Sequence, residues 1–81
     1  MNFYDAVYRV AGIRDMTVEG VSLKMGHSSA YIASAVSRGS LPKVDTAGRI
    51  LDACDFKLCA IPKDRIPDDA IVIDGPGGDD E

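Results

Sequence analysis

Few residues in this chain have the types and spacing that covalent or metal chemistry needs. There is one histidine, His27. A lone imidazole without a paired nucleophile or second carboxylate is not a catalytic set, so His27 reads as a turn residue. The two cysteines, Cys54 and Cys59, lack the close pairing of a zinc motif, and a metal would need two further ligands. They read as small apolar residues, reduced in a cytoplasmic setting. Asp64, Asp68, Asp69 and Asp74 lack the alternating oxygen ligands of a calcium loop and read as a solvated face. Gly75-Pro-Gly-Gly78 is followed by neither Lys-Ser/Thr nor a helix, so it is not a phosphate loop. The expectation is therefore a protein that is not an enzyme and uses no metal and no cofactor. What remains is binding through polar and basic side chains.

Charge placement bears on what is bound. The net charge is −4, which alone argues against nucleic acid. Residues 1–57, however, carry seven Lys/Arg against six Asp/Glu, and residues 58–81 carry two against seven. The acidity lives in the last third, and the field around residues 24–49 can be positive. A content of 46% apolar and 27% charged residues over 81 positions fits one small soluble domain. Apolar runs reach only four residues, far below the ~20 of a membrane span. The opening Met1-Asn2-Phe3-Tyr4-Asp5 has no basic and no apolar signal region. The expected location is the cytoplasm, with no membrane partner.

Four helices have to position the binding groups. Asn2, with Asp5 three residues on, can cap a helix over 3–11 carrying Phe3, Ala6, Val7 and Val10, with Gly12 as its left-handed stop. Thr17 caps a second, over 18–25, with Val18, Val21, Ser22 and Met25 on one face and Gly26 as its stop. Ser28 caps a third, over 29–37, with Ile32, Ala35 and Val36 buried and Arg38-Gly39 at its end. A fourth, over 44–54, buries Val44, Ala47, Ile50, Leu51 and Cys54, and Gly48 reads as a point of close helix approach. From Phe56 the apolar period drops to two. Residues 56–61 and 70–73 read as β-strands around a polar loop over 63–69, and residues 75–81 as a disordered acidic tail.

The sharpest local pattern is Thr17 to Gly39, where two short helices flank a glycine turn. Gly26 must take a positive φ, Ser22 must be small where the helices touch, and Val21, Met25 and Ile32 must fill the wedge. The run Thr17-Val-Glu-Gly-Val-Ser-Leu-Lys-Met-Gly26-His-Ser-Ser-Ala-Tyr31-Ile32 resembles the XRE family of lambda-repressor-like helix-turn-helix proteins. Leu41-Pro-Lys-Val-Asp45-Thr46-Ala-Gly-Arg49-Ile50-Leu51 resembles that family's fourth helix. Phe56-Lys-Leu-Cys-Ala-Ile61-Pro-Lys63 is similar to the strand that follows it in a subgroup including antitoxins of toxin–antitoxin pairs. Alanine is usual in the family where this chain has Ser22, and the third helix here is poor in long polar side chains.

The resemblance implies a mainly α fold: a four-helix DNA-binding domain over 1–55, a β-strand or hairpin over 56–74 and the tail. It also implies double-stranded DNA as partner, with the third helix in the major groove. Base edges would be met by Ser28, Ser29, Ala30 and Ser34, with Tyr31 reaching the backbone or a base. Phosphates would be met by Thr17, Lys24, Arg38 and Lys43. Serine and alanine make no bidentate base contact, so one copy reads sequence weakly.

An unpaired strand is unstable alone. It can pair with 70–73, with a second copy, or with both. The expectation is a homodimer built on Phe56, Leu58, Ala60, Ile61, Ile71 and Ile73. The function expected is a repressor. The alternative is an antitoxin or inhibitor that masks a toxin or other protein partner through its acidic C-terminal part.

Overall fold

The computed structural model describes residues 1–74. The expected acidic tail, 75–81, lies outside the described residues. The fold is mainly helical: α1 Phe3–Ile13, α2 Val18–Lys24, α3 Tyr31–Arg38, α4 Val44–Ala53, then an arm with a single 3-10 turn at Lys63–Arg65 among the described residues. Among the described residues no helix is long and apolar enough to cross a membrane.

Local capping explains where α1 and α2 begin. The Asn2 side chain accepts from the Asp5 N–H and the Asp5 carboxylate accepts from the Asn2 N–H, a reciprocal capping box. Thr17 Oγ1 accepts from the Gly20 N–H at 3.0 Å, which satisfies one of the orphan donors of α2.

All four helices stop by one device. Two successive N–H groups beyond the last turn bond back to carbonyls inside it, with the chain passing through the left-handed region. At α2 and α3 the left-handed residue is glycine, Gly26 at φ 86° and Gly39 at φ 68°. At α1 and α4 it is aspartate, Asp15 at φ 55° and Asp55 at φ 60°. After α1, Met16 N–H donates to Ala11 O at 2.8 Å; after α4, Phe56 N–H donates to Leu51 O at 2.9 Å. Met16 and Phe56 then pack against the core, the apolar contact that accompanies this ending. Gly12 is not the stop expected of it, because α1 runs on to Ile13 and the turn falls at Asp15.

The core lies among all four helices and centres on Val7, Val10, Val21, Ile32, Ile50 and Cys54, all at most 2% exposed. Arg14 ties the end of α1 to the end of α4. Its Nε donates to Cys54 O at 3.2 Å, its Nη2 donates to Asp55 O at 3.4 Å, and its guanidinium lies 5.2 Å from the Phe56 ring centroid. A cation on the last carbonyls of α4 is favoured by both hydrogen bonding and the helix dipole.

Several expectations need correction. Helix α3 begins at Tyr31, so Ser29 and Ala30 lie in the turn before it. Its N-cap, Ala30, makes no side-chain bond, and Ser28 contributes a carbonyl that accepts from the Tyr31 N–H at 3.1 Å. Val36 is 37% exposed and Val44 is 77% exposed. Both sit on the apolar stripe of their helix without being buried, and Val44, in the first turn of α4, lines an open groove beside the arm. Gly48 is not a close-approach point, since a Cβ there would meet nothing within 4 Å.

The largest difference is in the arm. Residues 56–61 and 70–73 have no regular secondary structure, and among the described residues no backbone hydrogen bond joins them, so no β-hairpin or sheet forms. Phe56, Ile71 and Ile73 pack on this molecule's own core. Leu58, Ala60 and Ile61 are exposed. The arm's end is held at the start of α1, where Asp74 N–H donates to Met1 O at 2.9 Å and the N-terminal ammonium pairs with the Asp74 carboxylate at 3.1 Å.

Candidate nucleic-acid interface

Helix α3 makes its main helix contact with α2 and fully buries only Ile32. Ser28, Ser29, Ala30, Ser34, Ser37 and Arg38 are all exposed. The resulting surface is a short helix with one side anchored and the other open to solvent, and none of the described arm residues covers it.

The anchor is Ser22. Its side chain is fully buried, its hydroxyl donates to Val18 O at 2.7 Å, and its Oγ accepts from the Ile32 N–H at 3.2 Å. Ile32 stands in the first turn of α3, where no intrahelical carbonyl can accept its amide. Ser22 thus supplies, from the neighbouring helix, the cap that Ala30 cannot. Sequence reasoning assigned Ser22 only a small volume. Its departure from alanine was the available signal for a polar role.

At the leading end of α3, His27 and Tyr31 stack. Their ring centroids are 3.8 Å apart and their planes 7° from parallel. His27 N–H donates to Ser22 O at 3.0 Å, so the turn is fixed to α2 just before the stacked ring. Sequence reasoning missed this pairing.

Arg38 and Lys43, assigned to phosphates, come together. With Tyr31, Ser40 and Thr46 they line a cleft of about 360 Å³ between α3 and α4. Burial pushes the Tyr4 phenol up from its ordinary range; Tyr31 adds to this and Arg38 opposes it. Thr17 is exposed, and its Oγ1 is already engaged as the α2 cap, which leaves the hydroxyl proton to donate. Lys24 does not line the cleft. Its charge is felt instead at the Cys54 thiol, which burial pushes up while Lys24 and Arg14 pull it down and Asp55 pushes it up. Among the described residues no ion pair involves Lys24, Arg38 or Lys43. Nor do any three of their His, Cys, Asp and Glu residues cluster as metal ligands would.

The residues assigned to dimerisation occupy a different face. An apolar groove of about 740 Å³ runs between α1, α4 and the arm, with Leu58, Ile61, Ile71, Ile73, Val44 and Leu41 among its walls. Of residues 56–61, only Phe56 has its N–H bonded to backbone within the described residues.

Compared with known protein families, with curated proteins and with solved structures, the chain matches none.

Proposed function

We propose that this protein is a sequence-specific DNA-binding regulator of the XRE, lambda-repressor-like kind, acting as a repressor without covalent chemistry. The observation that carries this reading is the exposure of α3. Ile32 and Ser22 fasten one side of the helix to α2, and a row of small polar residues lies open on the other. Helix α3 enters the major groove with Ser28, Ser29, Ala30 and Ser34 toward the bases, as in other proteins that dock a helix after a glycine turn. Arg38 and Lys43, both lining the cleft, take phosphates and set the register without reading sequence.

Weak readout by serines is offset by two copies. Among the described residues the arm residues 57–61 make no main-chain hydrogen bond, and they lie beside an apolar groove, the condition under which a segment pairs with another chain. Pairing of this segment with its counterpart about a two-fold axis sets two α3 helices about 34 Å apart, one DNA turn. Sedimentation showing only monomer at high micromolar concentration would remove the dimer.

The test is selection of bound fragments from a random duplex pool at stated salt. Arg38→Ala and Lys43→Ala are expected to weaken binding to every duplex alike, each lowering the salt slope by about 1. Absence of a retarded complex on any duplex would overturn the reading. A second reading, an antitoxin or inhibitor gripping a partner protein, is favoured by the exposed Ile66 and Val72 in the groove and the acids around them. Under that reading function survives changes in α3 and is lost when the acidic C-terminal part, about 58–81, is removed.

A further inference from the structure

The serines of α3 are small hydroxyl rotors that donate or accept as required, so they discriminate little between base edges. One group near them is different in kind. The His27 imidazole is planar and exposed, and its orientation is set before any ligand arrives: Tyr31 stacks on its face at 3.8 Å and 7°, and Ser22 O holds its main-chain N–H at 3.0 Å. Ser22 is itself fully buried and bonded to both α2 and α3. An ordered ring gives up less freedom on contact than a mobile side chain does. A neutral imidazole has one N–H donor in its plane, and the major-groove edge of guanine offers two adjacent acceptors, N7 and O6.

We infer that His27 is the principal base-reading side chain of the interface, donating its ring N–H to guanine in the major groove, with Tyr31 as the positioning residue that fixes the ring plane. This inference rests on the DNA-binding reading above. The position suits it, because His27 stands at the leading end of α3, the end of a recognition helix that meets base edges. The cations Arg38 and Lys43, by contrast, stand at the far end of that helix and beyond it.

The experiment uses the full chain and the duplex obtained from random-pool selection, with each base pair substituted in turn and affinity read by fluorescence anisotropy. The informative variant is His27→Phe, which keeps a ring for the stack and lacks the N–H. It is expected to melt like the parent, to bind the selected duplex about tenfold more weakly, and to lose its preference for guanine at one position while keeping its preferences elsewhere. Tyr31→Leu, which frees the imidazole, is expected to show a smaller loss at the same position. An undiminished guanine preference in His27→Phe would overturn the inference. So would an equal loss on all duplexes with a lower salt slope, which would make His27 a phosphate contact. If the parent chain retards no duplex at all, the DNA reading itself falls and takes this inference with it.

Discussion

Replacing Ser22 by alanine deletes a single oxygen from a fully buried site. That oxygen accepts the Ile32 N–H at 3.2 Å and carries the proton donated to Val18 O at 2.7 Å. The Val18 carbonyl loses little, since it keeps its place in the helical ladder. The Ile32 amide loses its only side-chain partner in the first turn of a helix whose N-cap, Ala30, provides none. Leaving a buried donor unsatisfied costs about 1–3 kcal/mol. Alanine regains roughly half a kcal/mol of helix propensity in α2, so the expected net loss is about 1–2 kcal/mol. For a chain of this size that corresponds to a fall in Tm of about 5–15 °C. Thermal melting followed by circular dichroism measures the total, and amide hydrogen exchange locates it, with faster exchange expected at Ile32 and along the first turn of α3. A Ser22→Ala protein that melts at or above the parent temperature, with Ile32 still protected, would refute the cross-helix cap.

Gly26→Ala places a Cβ in open space but at φ 86°, so its cost is conformational. A loss of about 1–2 kcal/mol is expected, read from urea midpoints, and an unchanged midpoint would show that the turn does not require glycine. The opposite sign is expected at Asp15 and Asp55, which hold left-handed backbone without being glycine. Asp15→Gly or Asp55→Gly should stabilise by about 0.5–1 kcal/mol, and a lower midpoint would mean that the aspartate side chain itself supports the turn. Burial raises both the Tyr4 phenol and the Cys54 thiol above their ordinary ranges. A raised folded-state value contributes stability that is full below the unfolded value and lost as pH rises through the folded one. Tm should therefore hold steady near neutrality and fall once pH passes the ordinary thiol and phenol ranges; a flat alkaline profile would contradict this. Alkylation monitored by mass spectrometry should modify the exposed Cys59 first and reach the buried Cys54 only on unfolding, and equal rates would refute the assigned burial.

How much was legible without coordinates depended on the range of the forces involved. The starts of α1 and α2 could be read because Asn2, Asp5 and Thr17 act within three residues of themselves. The turns at Gly26 and Gly39 could be read because a positive φ singles out glycine in any context. Ser28, Ser29, Ala30 and Ser34 were singled out by resemblance to the XRE family rather than by local spacing, and all four are exposed. Asp15 and Asp55 could not be read as turn residues, since what holds aspartate in that conformation is the burial of Met16 and Phe56 beyond it and, for Asp55, the reach of Arg14 to its carbonyl.

The same division runs through the candidate interface. Volume and periodicity marked Ser22 and Ile32 as neighbours across the wedge. That the serine oxygen lies 3.2 Å from the isoleucine amide is set by how two helices pack. The His27–Tyr31 stack joins a turn residue to a helix residue, so it exists only once the turn has its final shape. Period-two alternation in 56–61 is a preference for extended backbone, but no strand forms there. A strand also needs a second backbone alongside it, and residues 70–73 lie along the same groove without pairing. Composition and local pattern therefore determined which segments are helical, where two of the four helices end and which face is polar, because those follow from interactions a few residues long. The exposure of Val36 and Val44, the cap on α3 and the fate of the arm were decided by what lies opposite each side chain or backbone group, which only the packed molecule specifies.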